Sequence, residues 1–124
     1  MLATGVDIIE ISRIRRVLER YSQRFLDRVF TPAEIEYCRG RAPNLAARFA
    51  AKEATMKALG TGVLGVGWKD IEVVRAKSGA PGIKLHGRAD QRAQRLGVWE
   101  TSLSISHSNE YAVAFVVMQR EAQP

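Results

Sequence analysis

Cysteine is almost missing from this chain: Cys38 stands alone among 124 residues. One thiol cannot close an internal disulfide, which excludes a disulfide-stapled secreted domain and fits a reducing cytoplasm. Histidine is as scarce, with two in the chain, so no zinc-type cluster of histidine and cysteine can form. No run of about 18 apolar residues occurs, so no membrane span is expected. Met1-Leu2-Ala3-Thr4-Gly5 lacks a basic segment followed by an apolar one, so no signal peptide is expected either. Low-complexity tracts and internal repeats are also missing. Acidic residues are outnumbered, 13 against 19 Lys and Arg, for a net charge of +6 and a pI near 10.0. That imbalance points to an acidic partner: nucleic acid, a phosphorylated ligand or an acidic protein.

What is present is globular. The chain is 46% hydrophobic and 26% charged, and its length suits a single domain over residues 1–124 with a real core. Its centre is Arg48-Phe49-Ala50-Ala51-Lys52-Glu53-Ala54-Thr55-Met56-Lys57-Ala58-Leu59-Gly60. Strong helix formers dominate, so a helix is expected from about Asn44 to Leu59. Pro43 and Asn44 mark its start, and Gly60 offers a left-handed end. At roughly 100° per residue, Ala46, Phe49, Ala50, Glu53, Met56, Lys57 and Gly60 share one side. Phe49, Met56 and the alanines mark that side as the buried one. Glu53 and Lys57 are then either an i,i+4 pair at the stripe's margin or a charged pair held inside for chemistry.

Gly5 to Ile11 reads as a strand, apolar on both faces and interrupted by Asp7 on the side of Ile9 and Ile11. Asp7 either caps the following turn or meets a cation, a metal or N–H donors. Ser12 is placed to cap a helix to about Tyr21, with Ile14, Val17, Leu18 and Tyr21 as its core stripe. Arg13, Arg16, Arg20 and, if the helix continues, Arg24 form a second stripe, with Arg28 beyond. Glu19 and Asp27 hardly relieve it, which fits docking of an acidic surface or of nucleic acid. Phe25 to Phe30 reads as a short apolar turn. Thr31-Pro32-Ala33-Glu34 is a capping box that opens a helix to about Cys38.

Gly60-Thr61-Gly62-Val63-Leu64-Gly65 matches G-x-G-x-x-G, but it closes a helix, whereas a dinucleotide fingerprint opens one. It remains a flexible loop that a phosphate could approach. Strands are expected at 71–74 and 83–86, a polar helix at 87–96, and two more strands at 101–107 and 111–118. The strand at 101–107 alternates, with Leu103, Ile105 and His107 on one face. His107 ends that face as a structural histidine or a ligand contact. The last strand is almost continuously apolar, which predicts burial on both faces. The order implies an α+β fold: an antiparallel sheet with helices packed on one face and one long central helix. Asp7 and Glu53 are hard oxygen donors. Two carboxylates plus substrate phosphates are what Mg²⁺ usually takes, and a nearby lysine neutralises a phosphate leaving group.

Taken in order, Gly5-Val6-Asp7-Ile8, Phe49-Ala50-Ala51-Lys52-Glu53-Ala54, Lys57-Ala58-Leu59-Gly60-Thr61-Gly62 and Ser104-Ile105-Ser106-His107-Ser108 resemble the signature segments of the holo-[acyl-carrier-protein] synthase family. Those enzymes are small bacterial 4′-phosphopantetheinyl transferases. Arg24-Phe25, Phe30-Thr31-Pro32-Ala33-Glu34 and Trp68-Lys69-Asp70-Ile71-Glu72-Val73 extend the resemblance over essentially the whole chain.

The resemblance implies a reaction and a site. The serine hydroxyl of an apo acyl carrier protein attacks the β-phosphate of coenzyme A, and adenosine 3′,5′-bisphosphate leaves. By similarity Asp7 and Glu53 hold Mg²⁺, Lys57 sits by the phosphates, and Arg48, Lys57, Gly60 and His107 contact coenzyme A. Arg48 and His107 would take the nucleotide end. The base is Glu53 or a metal-bound water. Arg13, Arg16, Arg20, Arg24 and Arg28 become the docking face for an acidic carrier protein. A cytoplasmic homotrimer with sites between protomers is implied, serving fatty acid biosynthesis, with no nucleic acid and no membrane partner. The alternative class is a basic nucleic-acid-binding module, which explains the pI and the arginines but not Asp7, Glu53 and Lys57.

Overall fold

Period-two alternation builds the first strand, β1 (Leu2–Glu10): Gly5 and Ile9 are buried and Asp7 is half-buried, while Val6, Ile8 and Glu10 face outward. This is seen in a computed structural model that describes residues 1–122. α1 (Ile11–Tyr21), α2 (Gln23–Val29), α3 (Pro32–Cys38) and α4 (Ala42–Leu59) follow. A 3-10 turn at Trp68–Asp70 leads into β2 (Ile71–Arg75) and β3 (Pro81–Leu85). α5 (Gly87–Leu96), β4 (Val98–His107) and β5 (Tyr111–Arg120) complete the described chain. β1, β5 and β4 form one antiparallel sheet in that order, and β2 pairs with β3 as a separate hairpin lying beside β4. The α+β class stands, with the expected sheet divided in two.

α4 lies across the inner face of β1 and β5. Its buried residues include Ala46, Ala47, Ala50, Ala51, Ala54 and Ala58, and these short side chains let backbones approach closely. Gly5 takes the approach to its limit. A Cβ there would stand 1.8 Å from the carbonyl oxygen of Ala54 and 3.0 Å from the Ala58 nitrogen. Strand and helix therefore touch backbone to backbone at Gly5, two residues before Asp7.

The structure corrects several local expectations. α1 begins at Ile11 with Glu10 in the N-cap position and no side-chain cap, so Ser12 lies inside the helix. Residues 25–29 are helical, not a turn. The chain turns at Ser22, whose φ of 51° ends α1 and starts α2, so Arg24 and Arg28 belong to a second helix. α4 starts at Ala42 with Pro43 inside its first turn, and Asn44 caps nothing. The capping box does form: Thr31 Oγ1 accepts from the Glu34 N–H at 3.3 Å, and Glu34 accepts from the Thr31 N–H at 2.9 Å.

Burial brings two larger corrections. α4 is enclosed almost all round, and Phe49, Glu53, Lys57 and Gly60 are its open stripe, not its buried one. Alanines on every face leave little amphipathic signal, so the phase of burial was misread. β1 and β5 are each buried on one face only. Ala112, Ala114, Val116 and Met118 of β5 pack inward, while Tyr111 and Phe115 are exposed, as are Val6 and Ile8 of β1. No element among the described residues covers that outer sheet face.

Candidate active site

β1 contributes Asp7 and α4 contributes Glu53 and Lys57. The contact at Gly5 sets these side chains against one another. Lys57 Nζ lies 3.2 Å from Asp7 Oδ1 and donates to the Val6 carbonyl at 2.8 Å. The lysine side chain is 56% exposed and the aspartate 11%. Such an open pair contributes little to stability, about 0–1 kcal/mol, so its importance lies in placement. The ammonium has a third N–H directed to neither partner, open to a ligand oxygen.

Burial pushes the Glu53 carboxyl above its usual range. The charge of Asp7 and a hydrogen bond between the two carboxyl groups add to the rise, while Lys57 and Arg13 oppose it. Two carboxyls facing each other at a half-buried spot can share a proton or a cation. Among the described residues no group of three or more His, Cys, Asp or Glu side chains forms a cage. A pair of hard oxygen donors is a set that would suit Mg²⁺.

Gly60 holds a φ of 72° and closes α4 as a left-handed cap. Its N–H bonds the Lys57 carbonyl at 3.1 Å, and the Thr61 N–H bonds Met56 at 2.9 Å. The Gly60 amide is thus committed to the helix end. Arg92 Nε donates to the Leu59 carbonyl at 3.0 Å and tethers α5 to the same end. Nothing in the local pattern of α5 singled out Arg92.

Arg48 points away from Glu53 and is 2% exposed. Its guanidinium lies 4.2 Å from the Tyr37 ring centre, where Arg75, at 5.0 Å, and Arg41, at 5.8 Å, also gather. Arg48 Nη1 reaches the Asn44 carbonyl at 3.4 Å, and its buried Nε has no hydrogen-bond partner among the described residues. Three cations round one ring form an anion-attracting corner. The family resemblance names Arg48 but not Tyr37, Arg41 or Arg75, which meet it only because α3, α4 and β2 come together.

His107 is exposed at the end of β4, and its Nδ1 lies 3.3 Å from the Ser108 carbonyl oxygen. β5 separates it from Asp7: Asp7 pairs with Ala114, and His107 with Ala112. His107 borders a groove of about 240 Å³ with Ile8, Tyr111 and Val113, on the uncovered side of the sheet. The basic stripe is exposed throughout, with Arg13, Arg16 and Arg20 on α1 and Arg24 and Arg28 on α2. Arg24 and Arg28 flank a groove of about 380 Å³ floored by Val17, Tyr21 and Phe25.

Residues 3–116 match the family model described as the 4′-phosphopantetheinyl transferase superfamily. The chain is 50% identical over 123 residues to a holo-[acyl-carrier-protein] synthase of Koribacter versatilis, covering 96% of this chain and 98% of that protein. It is 52% identical over 124 residues to one of Herpetosiphon aurantiacus, covering 94% and 98%. The structure superposes on the Helicobacter pylori holo-[acyl-carrier-protein] synthase solved in complex with coenzyme A. The TM-score is 0.85 at 33% identity, over 94% of this chain and 99% of that one.

Proposed function

Because the chain belongs to the 4′-phosphopantetheinyl transferase superfamily, we propose that it moves the 4′-phosphopantetheine arm of coenzyme A onto a serine of apo acyl carrier protein. The serine oxygen forms a bond to the β-phosphorus as the pyrophosphate bond breaks. Adenosine 3′,5′-bisphosphate leaves and holo acyl carrier protein remains, ready for fatty acid biosynthesis. One observation carries the reading: Asp7 of β1 meets Glu53 and Lys57 of α4, with 50 positions separating Asp7 from Lys57 in sequence.

Asp7 and Glu53 would hold Mg²⁺, which would supply charge neutralisation for the pyrophosphate. Lys57 has an N–H to spare for a phosphate oxygen, and its positive charge favours the departing phosphate. Glu53, half-buried beside Asp7 and Lys57, or a water at the metal would receive the serine proton. Arg48, with Arg41 and Arg75 round Tyr37, offers cations to the 3′-phosphate of the nucleotide. Gly60 serves by turning the chain beside Lys57. The arginines of α1 and α2 are the counter-surface for an acidic carrier helix, and the Val17–Tyr21–Phe25 groove gives it an apolar foothold.

The outer sheet face supports a homotrimer. Val6 is 54% exposed, Ile8 63%, Tyr111 45% and Phe115 45%, and a contiguous apolar patch of this kind marks an interaction surface. His107 stands at its margin, where it could complete a neighbouring protomer's coenzyme A site. No helix among the described residues is long and apolar enough to cross a membrane. With the lone Cys38 buried and reduced, the proposed place of action is the cytoplasm. Mass spectrometry of apo acyl carrier protein incubated with coenzyme A, Mg²⁺ and this protein tests the proposal. The carrier should gain the mass of phosphopantetheine; an unchanged mass, with nucleic acid retained instead, would favour the binding-module alternative.

A further inference from the structure

One buried pair of charges has no part in this chemistry. Lys52 and Glu34 are both fully buried, and Lys52 Nζ meets Glu34 Oε1 at 2.8 Å. The same ammonium donates to the Trp68 carbonyl at 3.1 Å and to the Ile71 carbonyl. Glu34 Oε1 accepts from the Thr31 N–H, and Oε2 accepts from the Val73 N–H at 3.0 Å. All three ammonium hydrogens are used. Two side chains thus join α3, α4, the Trp68–Asp70 turn and β2. Cohesion alone does not call for ions here, since a packed apolar pair of similar volume is often at least as stable.

The geometry gives the pair a second task. Lys52 and Glu53 are neighbours in α4, so the helix that carries the pair also carries a site carboxylate. Trp68, whose carbonyl Lys52 grips, stacks on Phe49 at 4.9 Å between ring centres. Phe49 lies one turn before Glu53 on the open stripe of α4. The segment 60–67 leaves α4 three residues after Lys57 and returns to the gripped Trp68. We infer that Glu34 and Lys52 are positioning residues for the transfer reaction. They pin the far end of segment 60–67 and the Phe49–Trp68 stack against α4, and so set the coenzyme A side of the site. The inference rests on the β1–α4 meeting point being the transfer site.

The Glu34→Gln/Lys52→Met double variant removes both charges together and leaves no lone buried ion. Trp68→Leu is the second variant; it keeps the pair and removes only the stacked ring. Steady-state kinetics for both substrates should show kcat lowered about tenfold to a hundredfold, the scale of small misplacements at a reacting centre. KM for coenzyme A should rise more than KM for the carrier protein, whose groove meets the stack only through Phe25, 6.4 Å from Phe49. In the 5-fluorotryptophan-labelled double variant, the ¹⁹F resonance of Trp68 should move or broaden and that of Trp99 should not. Wild-type kinetics in either folded variant would overturn the inference, and so would an equal rise in both KM values. If the double variant does not fold, Trp68→Leu decides alone. Wild-type protein that leaves the carrier unmodified would overturn the transfer reading itself, and this inference with it.

Discussion

Glu53 is the residue on which the site turns. Its folded pKa is raised, by burial first and then by Asp7. A raised carboxyl favours the folded state below its unfolded pKa of about 4.3. That contribution is lost as pH rises through the folded value. A Mg²⁺ ion held by Asp7 and Glu53 would need the ionised form, so it should raise the melting temperature more at about pH 8 than at about pH 5. The metal-dependent gain should vanish in Asp7→Asn and Glu53→Gln, and turnover with it. Without Mg²⁺ both variants should melt at or above the parent temperature, because each removes one of two facing charges. A gain from Mg²⁺ that survives either substitution would break the ligand assignment. Lys57 lends itself to a separate measurement. Charge that develops in the transition state is what an ammonium offsets, so Lys57→Ala should lower kcat by roughly two orders of magnitude and move KM for coenzyme A little. Unchanged kcat with a raised KM would make Lys57 a ground-state contact only.

Elements set where these residues stand. β1 and α4 meet at Gly5, where a Cβ would sit inside the Ala54 carbonyl. Gly5→Ala must push strand and helix apart, at a cost of about 1–3 kcal/mol or more. Thermal unfolding should show the loss, and the folded remainder should bind Mg²⁺ weakly, since Asp7 and Glu53 sit on opposite sides of that contact. A variant with parental melting temperature would mean the contact relaxes freely. α1 and α2 make the second prediction at this scale. Their arginines are exposed and screened by salt, so each contributes little alone and all act together on encounter. Arg24→Glu or Arg28→Glu should raise KM for the carrier protein and leave KM for coenzyme A nearly unchanged. Added salt should mimic the reversal in the parent. Equal effects on the two substrates would remove the docking role.

At the scale of the molecule, the outer face of the β1–β5–β4 sheet is the surface on which the proposed trimer can be tested. Ile8 pairs with Val113 and Val6 with Phe115, so the exposed apolar side chains form adjacent rows across two strands. Phe115→Glu places a charge in the middle of them. Light scattering should show trimer for the parent and monomer for the variant. Activity should fall with the trimer even though Asp7, Glu53 and Lys57 keep their places. A monomeric parent with full activity would confine the whole site to one chain.

The sequence by itself determined what depends on neighbours within a turn or a strand. The Thr31–Glu34 capping box, the left-handed Gly60, the alternation of β4 and the ordered signature segments were all legible there. Asp7, Glu53 and Lys57 stood out because charges interrupt apolar runs. Only tertiary structure decided which side of α4 is open, because a helix rich in alanine carries almost no amphipathic phase. It alone set Lys52 and Glu34 against each other, and gathered Arg41, Arg48 and Arg75 round Tyr37. Lys52 and Glu34 stand 18 positions apart, Arg75 reaches Tyr37 from another element, and no local periodicity encodes such partners. The outer sheet face shows the same division. β1 and β5 are apolar on both sides in sequence, yet this fold covers one side and leaves Val6, Ile8, Tyr111 and Phe115 exposed on the other.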